Sequence, residues 1–467
     1  MTVAVLLPLA HALVSRRDLP IPAWLFAWGA SIVLIASFFA LSVGWRKPRF
    51  ERDRWRPSSG ALSRVLLGYP VQVLCGAIGV FLLGFAVYAG LRGTDAPDRN
   101  FALTFLFVTC WLGFPLFSVV FGNVFRPFNP WRAIGRGIGG VFTALAGQRP
   151  VHLAYPRRLG RWPAAIGLLA FVWLEVVYGT SGGVAVGLSP HAAATAALVY
   201  SVYTLAMMAV FGVEEWCETG ETFSVYFGML SRLGIFAVED GRLGRRMPLA
   251  ASTRWATVPA SLAVVIASIA STSFDGAQEG AFKGGIVQTF EWLSGAGLGL
   301  STSLHLADTV FMLLCFGGVA LVYEIGVRGM ATVSGGPPLS QLRTGFAHTL
   351  IPIAFAYLVA HYFSLFVFQE QAQFTYLLSD PLGTATTDLF GTAGAGVDYR
   401  VLSANAIWYV QVAALVIGHV VGLTLAHDRA TAYWGDYRQA ARSQYWMLAV
   451  MVSFTCFGLY LLSVGNA

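Results

Sequence analysis

Ten apolar runs of about twenty residues recur along this chain, at 22–44, 69–91, 100–121, 162–180, 189–212, 255–273, 304–326, 345–368, 403–426 and 445–464. As a helix rising about 1.5 Å per residue, each is long enough to cross a hydrocarbon core ~30 Å thick. Only closed barrels and helices satisfy their backbone there, and runs this long and continuous predict helices. The expected fold is all-α, a polytopic transmembrane bundle of ten spans forming one membrane domain over 1–467. A shorter run, 286–299, reads as re-entrant or interfacial. Charged residues make up 11% of the chain, against about 25% in an average soluble domain. Soluble enzymes, coiled coils, disordered tails and secreted disulfide scaffolds are excluded.

The formal charge of +7 does not indicate a nucleic-acid partner, because the basic residues flank apolar runs and form no single patch. Of the 30 basic residues, 24 fall after the first, third, fifth, seventh and ninth runs. By the positive-inside rule that side is the cytoplasm, so both termini are expected outside, in a bacterial inner membrane. Residues 3–14 are apolar but too short to span. Ala10-His11-Ala12 resembles a cleavage site, yet no Lys or Arg precedes it. The stretch is expected to lie against the outer face, with cleavage as the alternative.

The five cysteines form no C-x-x-C pair and read as small core residues. Gly418 and Gly422 form a G-x-x-x-G step that lets another helix approach closely. The basic segment 125–136 carries Phe125, Phe128 and Trp131, and is expected either to lie on the inner leaflet or to pack against other cytoplasmic loops. The 213–254 segment is the largest polar stretch and shows no core of its own.

Ionisable side chains at membrane depth are costly unless paired or hydrated, so each is a functional candidate. They fall into two sets. An outer set comprises Glu175, His305, Asp308 and His361, facing an acidic outer loop at 369–402 that holds Glu370, Asp380, Asp388 and Asp398. An inner set comprises His348, His419, His427 and Asp428. His361 and His419 differ by roughly 13 Å in depth, too far apart to ligate one metal. Carboxylates beside an imidazole at a protected mouth can hold a divalent metal ion and activate water. The alternative is a solvated acidic loop over a core histidine. His348 and His361 also stand near the spacing of a two-haem span, although His419 and His427 do not match it.

Several stretches resemble the bacterial membrane proteins of the fenitrothion hydrolase family. They are AHALVSRRDLPIP (10–22), FRPFNPWR (125–132), RRLGRWPAAIGLLAFVWLE (157–175), STSFDG (271–276), AHYFSLFVFQEQ (360–371), LSDPLGTATTDLFGTAGAGVDY (378–399) and GHVVGLTLAHDRA (418–430). The resemblance implies hydrolysis of an organophosphate triester at the bond from phosphorus to an aryl leaving group. Polar residues within the matching stretches are His11, Asp18, Glu175, Asp275, His361, Asp380, Asp388, Asp398, His419, His427 and Asp428, and no catalytic assignment comes with them. The family more often has Gly where Ala12 and Glu370 stand, so no mechanism rests on Glu370.

The leading expectation is an outward-facing, metal-assisted hydrolase acting on a small apolar substrate that arrives through the lipid bilayer. His361, His11 and Glu175 would ligate the metal, and Asp380 or Asp388 would orient the attacking water. Asp18, Asp275 and Asp398 would line the substrate. His348, His419, His427 and Asp428 form a second candidate site. The alternatives are a transporter or membrane partner handling metal, haem or lipid, and a structural subunit completed by a second membrane chain. The sequence contains neither a P-loop nor an H-E-x-x-H pair.

Overall fold

The computed structural model describes residues 23–51, 55–181, 184–185, 188–278 and 280–465. The expectations placed on His11, Asp18 and the 10–12 cleavage site lie outside these residues. Among those described, eight helices are long and apolar enough to cross a membrane. Together with two less apolar or shorter ones they are labelled α1 (Ala23–Gly44), α2 (Tyr69–Arg92), α3 (Phe101–Phe121), α4 (Trp162–Tyr178), α5 (Pro190–Phe211), α6 (Ser261–Gln278), α7 (Leu300–Ala331), α8 (Ile351–Phe374), α9 (Ala404–Trp434) and α10 (Tyr437–Gly465). The protein is thus a helical membrane bundle. The 286–299 run lies mostly within a helix, Lys283–Gly295, that packs on α7.

The two that fall short of membrane criteria, α4 and α6, are the ones that matter most for the site. α6 carries Ser261, Ser268, Ser271, Thr272, Ser273 and Asp275, a composition poorly suited to lipid. Its surroundings explain this: 15 of its 18 residues are buried, enclosed by α4, α7 and α8. In α1 and α5, by contrast, only 17% of the most apolar window is buried, so their side chains remain for lipid to cover. Polarity is thus placed where protein, not hydrocarbon, is the solvent.

α8 and α9 pack closely because Gly418 and Gly422 have no side chain. A Cβ at Gly418 would fall 2.2 Å from the Ala356 Cβ, and one at Gly422 would fall 2.8 Å from the Thr349 carbonyl oxygen. The G-x-x-x-G reading is met by α8 as the approaching helix. α3 widens into a π-helix over Thr104–Gly113, packed against α8, and α4 does so over Trp173–Tyr178.

At the arginine-rich end, the 213–254 segment folds onto the bundle. Its helices Val213–Thr219 and Thr222–Leu230 bury Trp216, Tyr226 and Phe227 in the main core. A hairpin of β2 (Phe236–Glu239) and β3 (Arg242–Arg245) follows, with β1 (Arg56–Pro57) added antiparallel to β3. The segment has no separate core because its aromatics complete that of the helices.

The 125–136 segment departs from the leaflet expectation. Phe125 and Trp131 are buried in protein. Trp131 stacks on Phe223 and donates its Nε1–H to Ser201 Oγ at 2.8 Å, while Phe125 meets the Phe227 ring edge-on. The arginines that were to meet headgroups meet a carboxylate: Arg126, Arg132 and Arg136 all converge on Glu214, at 3.4, 3.0 and 2.7 Å. Burial works against a charge on Glu214, but the Arg132 hydrogen bond and the positive charges of Arg132 and Arg136 outweigh it. They hold the carboxyl below its ordinary range.

A carboxyl held low contributes stability that is complete above its unfolded value near 4.5 and is lost as pH falls through the lower folded value. Glu214→Gln is expected to lower the melting midpoint of detergent-purified protein by about 2–4 °C at pH 7. The difference from wild type should shrink steadily below pH 4.5, followed by tryptophan fluorescence.

Candidate functional site

Helix α6 brings Asp275 against α8, where it meets two adjacent side chains. His361 Nε2–H donates to Asp275 Oδ2 at 2.8 Å, and the Tyr362 hydroxyl donates to the same oxygen at 2.7 Å. Gln278 Nε2, one turn along α6, donates to Oδ1 at 3.3 Å. Asp275 and Tyr362 are buried, and the His361 side chain is 15% exposed. The imidazole and phenol rings meet edge-to-face at 4.5 Å between centroids. Neighbouring positions on one helix ordinarily point about 100° apart, so two adjacent side chains reach one oxygen only because Asp275 stands between their directions.

A carboxylate has no proton to give, so accepting from Nε2 fixes the imidazole tautomer with its basic nitrogen at Nδ1. Gly276 borders that nitrogen: a Cβ there would sit 3.5 Å from Nδ1. Glu175 projects from the π-helical stretch of α4. Its carboxyl lies within electrostatic reach of Asp275 and of the Tyr362 hydroxyl, and its Oε2 is buried without a hydrogen-bond partner. The hydroxyls of Ser271, Ser273 and Ser364 are also buried without partners. The His305 ring meets Trp173 of α4 edge-on and lies tilted against Tyr178.

Of the outer-loop acids, Asp380, Asp388 and Asp398 are engaged locally, whereas Glu370 falls within the end of α8 with both carboxyl oxygens buried and no hydrogen-bond partner. Asp380 accepts from the Ala385 backbone N–H at 2.6 Å and from Thr387 Oγ1–H at 2.7 Å. Asp388 accepts from Ala393 N–H at 3.1 Å, and Asp398 from Arg400 N–H at 2.9 Å. These carboxylates shape the 369–402 loop, which is anchored to the start of α3 by Phe101 N–H donating to the Pro381 carbonyl.

The inner set separates into two parts. Asp428 accepts from Trp45 Nε1–H, Arg49 N–H and Phe50 N–H, at 2.8, 2.6 and 3.1 Å. His427 Nε2–H donates to the Trp45 carbonyl at 3.1 Å. Both tie α9 to the turn after α1. His348 and His419 each donate Nδ1–H to a carbonyl of their own chain segment, Gly345 and Leu415, and keep a buried Nε2 without a partner.

Of the residues singled out in the sequence, the structure joins His361 with Asp275 and sets Glu175 beside them. Tyr362 was missed, because an aromatic inside an apolar run reads as packing. Its only signal was its place beside His361. Among the described residues, no three His, Cys, Asp or Glu side chains converge as a ligand set. No family model, curated protein or solved structure matches the chain.

Tyr362→Phe deletes one hydrogen bond to the buried carboxylate while preserving the ring. It is expected to reduce stability by about 1.5–3 kcal/mol, read as a lowered unfolding midpoint in detergent.

Proposed function

We propose that the chain is an integral-membrane hydrolase in which His361 is the general base and Asp275 its orienting partner. The observation that carries this reading is the 2.8 Å bond from His361 Nε2 to a carboxylate that Tyr362 also holds. In this reading His361 Nδ1 removes a proton from water as the water oxygen attacks phosphorus, and the aryloxide departs. Asp275 stabilises the imidazolium formed in that step, the role a buried carboxylate plays behind any imidazole base. Buried, orphaned serine hydroxyls supply hydrogen-bond donors for phosphoryl oxygens. The substrate class, an aryl phosphotriester, rests on the resemblance of the motifs to the fenitrothion hydrolase family. Such a molecule is apolar enough to arrive through lipid.

A divalent ion at this site would take His361 Nδ1, with Asp275 holding the Nε2–H behind it, the arrangement that orients many ligating imidazoles. Asp380, Asp388 and Asp398 contribute to this reading through the loop they shape.

A second reading has its own observation. Ser261, Ser268, Thr272 and Asp275 occur at i, i+7, i+11 and i+14, one face of the buried α6, about 21 Å long. A polar face through a membrane bundle suits a proton path, with Asp275 and His361 as relay.

His361→Asn and Asp275→Asn should each reduce phenolate release from an aryl phosphotriester by about 10²–10⁴-fold, with the variants still monodisperse. Full activity in Asp275→Asn would defeat the base assignment. Proton flux into dye-loaded proteoliposomes that both substitutions abolish, without any hydrolysis, would select the second reading.

We also propose ten spans, both termini outside, and the arginine-rich end in the cytoplasm of a bacterial inner membrane. Reporter fusions at 56, 140 and 240 should score cytoplasmic and those at 96 and 390 external. A cytoplasmic score at 390 would reverse the arrangement.

A further inference from the structure

The opposite end of the bundle holds a cavity of about 780 Å³ that the proposed hydrolytic site does not use. Seven arginines line it, against four carboxylates. Arg126, Arg132 and Arg136 are engaged by Glu214. The other four are Arg161, Arg232, Arg246 and Arg254; Glu218 and Glu239 lie near them, with Asp240 on the hairpin turn, and Glu51, paired with Arg429, also lies within reach of Arg254.

These four crowd one another. Arg161 and Arg232 both face the ring of Trp255, with guanidinium carbons 3.7 and 5.5 Å from its centroid. Arg161 is fixed by donating Nη1–H to the Trp255 carbonyl and to Ser261 Oγ, the first residue of α6. Burial, and after it the charge of Arg232, pulls Arg161 down to about 9. Burial, and after it Arg246, likewise lowers Arg232. Arg246 pairs with Glu239, and Arg254 approaches the same carboxylate at 3.7 Å. The Arg246 side chain is 6% exposed, and its Nε is buried with no hydrogen-bond partner. Three of these guanidinium groups are buried and Arg254 stands at the exposed side, with fewer carboxylates than cations, an arrangement that an anion relieves, and their forked donors match phosphoryl oxygens.

We infer that this cavity binds a phosphate-bearing anion, with Arg232, Arg246 and Arg254 taking its phosphoryl oxygens. Its lining also includes exposed apolar side chains, Leu66, Phe121 and Val238. Leu66 lies just before α2 and Phe121 closes α3, so this rim stands where two helices leave the bundle. That combination suits a phospholipid, with its headgroup inside and its acyl chains along the rim, better than a soluble phosphate.

The test uses the full chain purified in a neutral maltoside detergent. Native mass spectrometry would follow binding of dioleoylphosphatidylglycerol against dioleoylglycerol, which has the chains but no phosphate. A parallel arm would titrate inorganic phosphate and follow thermal unfolding. Wild type should retain one phosphatidylglycerol at least tenfold more tightly than the diacylglycerol. Arg254→Gln, at a side chain 62% exposed and so tolerant of change, should weaken retention several-fold, and Arg246→Gln with Arg254→Gln should abolish it. Stabilisation by inorganic phosphate that Arg254→Gln removes, without lipid retention, would assign the same site to a soluble phosphate. No binding in either arm, or binding unchanged in the Arg254→Gln protein, overturns the inference.

Discussion

A carboxylate inside a membrane bundle needs hydrogen-bond donors supplied by the protein, and Asp275 gathers them from its own helix and from α8. Its acceptor oxygens draw in His361, Tyr362 and Gln278 from two helices, and the helix that carries it is almost wholly enclosed. Removing any one donor leaves the others to hold a charge that was matched to all of them. These bonds cross between α6 and α8, which are in direct contact. The same acceptor fixes the His361 tautomer, so structure and candidate chemistry rest on one set of bonds.

The arginine-rich end solves the reverse problem, positive charge gathered near the bundle. Glu214 takes three guanidinium groups and Glu239 takes two. What they leave unmatched lies in a cavity beside the first residue of α6. Arg161 connects the two ends physically, since its bond to Ser261 secures the start of the helix that ends near Asp275.

Much of the fold was legible because hydrophobic length is a direct physical signal. Each expected run holds a long helix, although that at 255–273 begins only at Ser261, and the G-x-x-x-G step at Gly418 does what its small residues suggest. What the sequence did not disclose was partnership. Asp275 was separated from His361 by 86 positions, and nothing local to either announced the other. The carboxylates of 369–402 looked like site residues because they cluster, yet Asp380 and Asp388 fasten turns, a use that Asp serves equally well. Trp131 looked like a lipid-facing aromatic, and Glu214, lying 82 residues beyond Arg132, is what turned its segment inward. Periodicity reports which face is apolar, but not whether lipid or protein will cover it.

The enclosure of α6 also bears on how the chain is built during synthesis. A segment reading SLAVVIASIASTSFDGAQ offers hydrocarbon too little in return for its hydroxyls and its acid. Its lodging depends on neighbours made both before it, in α4, and after it, in α7 and α8. The ribosome therefore delivers this helix ahead of half of its own shelter. A substitution in α8 that leaves Asp275 without donors therefore bears on how this helix is housed as well as on any reaction.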